Sequence, residues 1–183
     1  MTRPSITQAT AGFPASDAWW NAQVYNPINW LYQREQLVVK AATTSRASTT
    51  TIASDPEITF TVVANTSYLV EGLILFAADP ASDLKIGWTA PTGATFLWNV
   101  IGQPSTASAS TGSVITDGQD LASTAFGLGG VTDNTKTMTG HLRGYLTVGA
   151  TGGTFALQWA QITSGANATK VLAGTHVVLK QTT

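Results

Sequence analysis

Residues 67–77 read SYLVEGLILFA. Read as a strand, with successive side chains on opposite faces, Tyr68, Val70, Ile74 and Phe76 point one way. Leu69, Leu73 and Leu75 point the other way, with Glu71 among them. Both faces are therefore apolar. An antiparallel sheet that met water on one side would show polar residues there. This strand is expected to be covered twice, once by a sister sheet and once by the N-terminal segment or a neighbouring subunit.

The same period of two runs outward from this strand in both directions. From Gln36 to Thr183, Gly, Pro, Asn and Asp interrupt the pattern about every 8–12 residues. Strands are expected at 37–42, 57–63, 67–77, 84–89, 95–101, 121–127, 138–148, 154–162 and 174–181, with a short one near 169–172. No long helical run separates them, which points to a mainly β chain, an antiparallel β-sandwich or jelly roll, and not to a parallel α/β sheet. In MTGHLRGYLTV, Met138, Leu142, Leu146 and Val148 share one face, and Thr139, His141, Arg143, Tyr145 and Thr147 the other. In TFALQWAQ, Phe155, Leu157 and Trp159 oppose Ala156, Gln158 and Ala160. Trp88, Trp98 and Trp159 fall inside strands and are expected in the core. The flat second faces suit a subunit contact, with an ordinary solvent face as the alternative, and Leu69, Glu71, Leu73, Leu75, His141, Arg143, Tyr145 and Gln158 form the candidate oligomer interface. Glu71 needs a partner if it is buried there, and Arg143 is the first candidate.

Residues 1–37 differ in character. The stretch DAWWNAQVYNPINWLY (17–32) holds Trp19, Trp20 and Trp30, half of the six tryptophans. Asn26-Pro27 has the form of an N-cap followed by proline at the first helical position. Trp20, Val24, Ile28 and Leu31 would share one helical face if the chain continued helically through the proline. Two short helices or turns meeting at Asn26 are expected. Trp19, Trp20, Val24, Ile28, Trp30 and Leu31 are read as a docking arm, with packing beneath this chain's own sandwich as the alternative. The division is then an anchoring arm at 1–37, a linker or first strand at 38–56 and a β-sandwich at 57–183.

Composition bounds the partners. Of 183 residues 43% are hydrophobic, enough for a real core, and 10% are charged with a net charge of −1, against a usual charged fraction of about 25%. The nine Lys and Arg residues are scattered, so no basic stripe exists to displace counterions from a nucleic acid. Low charge also lets copies of the chain pack closely. Cysteine is absent, excluding disulfides, thiolate catalysis and cysteine-ligated zinc. No apolar stretch approaches the roughly 18 residues of a membrane span, and synthesis in a cytoplasm is expected.

Catalytic chemistry is not readable. His141 and His176 lack metal-ligand spacing, so no metal or cofactor is expected. Asp79 and Asp83 in ADPASD, and Asp117 and Asp120 in TDGQD, match no calcium loop and are read as turn formers. FGLGG and VGATGG open no helix after a strand, and no Gly-x-Ser-x-Gly elbow is present. GQPSTASASTGSVITDG (102–118) is a long connection, read as a solvated loop or as an exposed tip or intersubunit contact.

YLVEGLILFAADPASDLKIGWTAPTGATFLW (68–98) and HLRGYLTVGATGGTFALQWAQITSGANATKVLAGTHVVLKQ (141–181) resemble a family of small virion structural proteins of tailed phages that infect actinobacteria. The similarity covers roughly residues 57–181 and rests on the Asp-Leu-Lys-Ile-Gly-Trp strand, the Pro-Thr-Gly-Ala turn and the Leu-Gln-Trp-Ala-Gln strand. The resemblance implies a head decoration, head-fibre or minor tail protein with a trimeric jelly roll of the tumour-necrosis-factor and C1q type, and no catalytic residues. It implies a virion location, with this chain itself and a major capsid protein or other virion protein as partners. A minor tail or baseplate protein that binds a host surface glycan is the alternative.

Overall fold

The computed structural model describes residues 16–105, 118–123, 126–131 and 133–182, without the side chains of residues 30, 32 and 33. The chain begins helically because Ser16 supplies an N-cap, its hydroxyl accepting the Trp19 N–H at 3.2 Å. Helix α1 (Asp17–Trp20) passes into a π-helical turn (Asn21–Tyr25) and then into α2 (Asn26–Gln33). The expected break at Asn26 is replaced by continuous helical backbone. Pro27 has no N–H to return to the preceding turn. The ladder widens just before it, with the Asn26 N–H reaching back five residues to the Asn21 carbonyl.

Eleven strands follow among the described residues: β1 (Glu35–Val39), β2 (Thr44–Arg46), β3 (Ala53–Val62), β4 (Ser67–Ala77), β5 (Leu84–Thr89), β6 (Thr95–Ile101), β7 (Phe126–Leu128), β8 (Met138–Thr147), β9 (Gly153–Ala160), β10 (Thr169–Val171) and β11 (His176–Gln181). They form two antiparallel sheets. One carries β1-β11-β4-β8-β6, with β10 and β2 continuing beyond β11 beside the end of β4. The other is β3-β9-β5-β7. Taking β1, β3, β4, β5, β7, β8, β9 and β11 as eight principal strands, first pairs with last, second with seventh, third with sixth and fourth with fifth. That nesting is a jelly roll.

The inner faces are those the alternation marks. Tyr68, Val70, Ile74 and Phe76 from β4, Leu142 and Leu146 from β8, and Phe155, Leu157 and Trp159 from β9 are all buried. Trp88 stacks on Phe155 with ring centroids 4.7 Å apart and meets Phe96 edge-on at 5.5 Å, while Trp98 meets Phe126 at 5.3 Å. The core tryptophans thus join the two sheets.

Several boundaries move. Strand β3 begins at Ala53, well before the expected 57. Pro56 is tolerated because β3 is an edge strand whose register shifts between Ser54 and Thr59. The region 38–56 accordingly contains the end of β1, all of β2 and the start of β3. The strand expected at 121–127 is the short β7, and residues 121–122 lie in a turn. Asp79 acts as the turn former expected of it, with Oδ1 accepting the Ala81 N–H at 2.9 Å. Asp120 accepts the Ser123 hydroxyl at 3.1 Å. Asp117 and most of the 102–118 connection lie outside the described residues.

Candidate interaction surface

The register places three rows of five residues on the outer face of the larger sheet. Glu35, Lys180, Leu69, Tyr145 and Leu97 form one row. The next is Leu37, Val178, Glu71, Arg143 and Asn99, and the third is Val39, His176, Leu73, His141 and Ile101. Six large apolar side chains here are exposed: Leu97 at 66%, Leu37 at 58%, Val39 at 54%, Leu69 at 46%, Tyr145 at 43% and Ile101 at 39%. Because neighbouring strands share a register, Leu69, Tyr145 and Leu97 stand side by side in one row. The outer face of the second sheet carries Thr59, Thr61, Lys85, Thr89, Thr154 and Gln158, with only the small residues Gly87, Ala156 and Ala160 among them on β5 and β9. The two outer faces differ sharply in polarity.

Seven of the eight residues expected at an oligomer interface gather on the first face: Leu69, Glu71, Leu73, Leu75, His141, Arg143 and Tyr145. Gln158 does not join them, because β9 belongs to the opposite sheet. Leu37, Val39, Leu97, Ile101, His176, Val178 and Lys180 complete the surface. Alternation within β1, β6 and β11 gives their side, but adjacency to β4 and β8 requires the long-range register.

Glu71 is not buried in the single chain. Its side chain is 45% exposed and accepts from Lys180 Nζ at 2.9 Å. Arg143 stands directly opposite in register, but the ion pair is with Lys180, which replaces the expected partner. The Lys180 hydrogen bond and charge hold the Glu71 carboxyl below its usual range, with a smaller contribution from Arg143. The same bond raises the Lys180 ammonium. Around this pair Leu73, His141, His176 and Val178 line an open hollow of about 390 Å³. Among the described residues, no group of three His, Asp or Glu side chains is placed to share a metal ion.

On the helical run Trp20 is 54% exposed, Ile28 47% and Leu31 61%, with Tyr25 also exposed. Trp19 and Val24 are half-buried. The side chain of Trp30 lies outside the described residues. The run joins the sandwich through Arg34, whose Nη2 donates to the Gln181 carbonyl at 2.7 Å. No described helix is long and apolar enough to cross a membrane.

A second constellation lies where β1 and β3, edge strands of different sheets, come together. Lys40 and Asp55 are fully buried side chains, with Nζ 3.0 Å from Oδ1 and 3.1 Å from Glu57 Oε1. Asp55 Oδ1 also accepts the N–H groups of Glu57 at 2.9 Å and Ile58 at 3.1 Å, and Oδ2 accepts the Trp159 indole N–H at 3.0 Å. Burial pushes the Asp55 carboxyl up, but these donors together outweigh it and hold the group below its usual range. Glu57 is likewise held down, first by the Ala41 N–H and then by Lys40. Arg46 lies 4.1 Å over the Trp159 ring and donates to the Trp159, Ala53 and Ser54 carbonyls. No local spacing announces this cluster, since 15 residues separate Lys40 from Asp55.

No family model and no curated protein matches the chain. Among solved structures, the VP2 subviral particle of infectious bursal disease virus is similar at 15% identity with a TM-score of 0.25, over 81% of this chain and 40% of that one. The structure of the Gt strain of that virus is similar at 14% identity with a TM-score of 0.19, over 81% and 41%. The chain thus spans about two-fifths of the length of those proteins. Scores this low do not establish a common topology, and the jelly-roll assignment rests on the strand pairings.

Proposed function

We propose that this chain is a non-enzymatic structural protein of a phage virion, a capsid decoration or head-fibre protein. It assembles with copies of itself, as a homotrimer, through the outer face of the larger sheet, and docks on the capsid through its N-terminal helical run. The observation that carries the assembly reading is the concentration of six exposed large apolar side chains on that face, against a polar outer face on the other sheet. The virion assignment rests on the sequence resemblance across residues 57–181.

The docking reading is supported by Trp20, Ile28 and Leu31, which stay exposed on the helix. Large aromatic and aliphatic side chains of this kind act as anchors when a partner supplies a pocket. Electron microscopy of the particle with this protein labelled tests the assignment. Many symmetrically placed copies on the head support it. A few copies at the tail tip would overturn it in favour of a tail or baseplate protein that binds a host glycan.

A further inference from the structure

The Lys40–Asp55–Glu57 cluster brings an amine nucleophile and a carboxyl carbon together where neither charge has water around it. Both side chains are fully buried, and a buried ion pair carries a desolvation cost that its own attraction repays only in part. An amide between the two groups would remove both charges. Nζ already lies 3.0 Å from Oδ1, and groups held in contact by a folded chain react as if at very high concentration. Glu57 Oε1 lies 3.1 Å from the same Nζ, on a side chain that is 28% exposed and so reaches toward water. Both Asp55 oxygens face N–H donors, from Glu57 and Ile58 on one and from Trp159 on the other. That donor set stabilises the oxyanion formed when an amine adds to the carboxyl carbon.

We propose that Lys40 and Asp55 condense within the folded chain to an isopeptide bond, with Glu57 relaying the protons. The Nζ–Cγ bond forms and one Cγ–O bond breaks. Two protons of the ammonium leave with that oxygen as water, one of them by way of Glu57, which ends unchanged. No oxidant or cofactor is required. The donors around Asp55 also favour its ionised form, so addition waits on a proton reaching the carboxyl, and the reaction lags behind folding. The product ties the end of β1 in one sheet to the start of β3 in the other. In a chain without cysteine it would be the covalent staple of that edge.

Intact-mass measurement of the purified full-length chain, unfolded after prolonged incubation in its native state, tests this. The expected mass is lighter than the sequence mass by one water. Protease digestion should then yield a branched peptide joining the segment with Lys40 to the segment with Asp55. Lys40→Arg keeps a cation at the site but should show the full sequence mass, and Glu57→Gln should condense many-fold more slowly. A wild-type chain that keeps its full mass overturns the proposal, leaving an ion pair. Water loss that persists in Lys40→Arg, or that maps to another peptide, overturns it equally. Condensation of Glu57→Gln at the wild-type rate removes the relay role. The branched peptide is read on the wild-type chain alone, so a variant that failed to fold would not blunt the test.

Discussion

Asp83 combines two unfavourable circumstances. It sits at φ 54°, in the left-handed region, and burial, with Asp79 adding to it, pushes its carboxyl up to about 6 although the Gly130 N–H pulls the other way. A carboxylate whose folded pKa lies above its unfolded value contributes stability at low pH, and that contribution is lost as pH rises through about 6. Asp83→Asn removes the charge, keeps an oxygen for the 2.7 Å bond from Gly130 and tolerates the left-handed backbone. The variant should be more stable than wild type at pH 7–8 by on the order of 1 kcal/mol after allowance for screening. That is a gain of about 2–4 °C in Tm. Scanning calorimetry across pH should show the gain shrinking toward acid, and a gain that grows instead would refute the assignment. Single residues were unevenly legible in the sequence. Trp88, Trp98 and Trp159 announce their burial because each falls on the apolar side of a strand. The pairing of Lys40 with Asp55 is silent, since a charged residue after an apolar run reads as a surface end and its partner arrives only through sheet packing.

At the level of elements, β8 explains its own glycines. Gly140 and Gly144 alternate with Leu142 and Leu146 on the inner face, where β6 packs large side chains across them. A Cβ on Gly144 would stand 2.5 Å from the Phe96 ring, and one on Gly140 would stand 2.7 Å from Val100. Gly144→Val should destabilise the chain by about 1–3 kcal/mol, as overpacking does. Urea unfolding should show a lower midpoint with an unchanged slope, and a midpoint equal to wild type would show that Phe96 moves freely. The helical run makes the opposite case, because none of its described side chains between residues 16 and 34 belongs to the buried core cluster. A chain that starts at Arg34, keeping its bond to the Gln181 carbonyl, should stay folded and soluble yet fail to load onto particles lacking the native protein. If it unfolds or precipitates, the run belongs to the core and the docking role fails. Strands β4, β5 and β6, each bounded on both sides by turn-forming Gly, Pro, Asn or Asp, were legible to the residue. Strand β3 was cut short because Pro56 and the bulge beside it imitate a turn, and the helical run was divided at Pro27 because a π-helical turn has no sequence signature as strong as proline's.

The nested pairing of strands could not be read from periodicity, which assigns faces but not neighbours. Alternation placed Leu69 and Gln158 alike on second faces; only the pairing shows that one lies on the apolar sheet and the other on the polar one. The same pairing bounds how strongly copies can associate. Five strands spaced about 4.8 Å apart, over the roughly 17 Å that the three rows span along each strand, give a face of roughly 400 Å². A standard interface takes about 800 Å² from each partner. The face alone is small, so self-association should depend on concentration over the micromolar range, strengthened on a particle where docked arms hold copies together. Leu69 lies on the central strand and is 46% exposed, so Leu69→Asp costs the single chain little, and beside Lys180 it still places a carboxylate that must lose its water inside any contact built on this face. Sedimentation velocity should shift that variant to monomer at concentrations where wild type associates, with Tm nearly unchanged. Thr61→Asp, on the outer face of the other sheet, should associate as wild type does. If Leu69→Asp associates normally, or if Thr61→Asp is the variant that dissociates, the assembly surface is not this one.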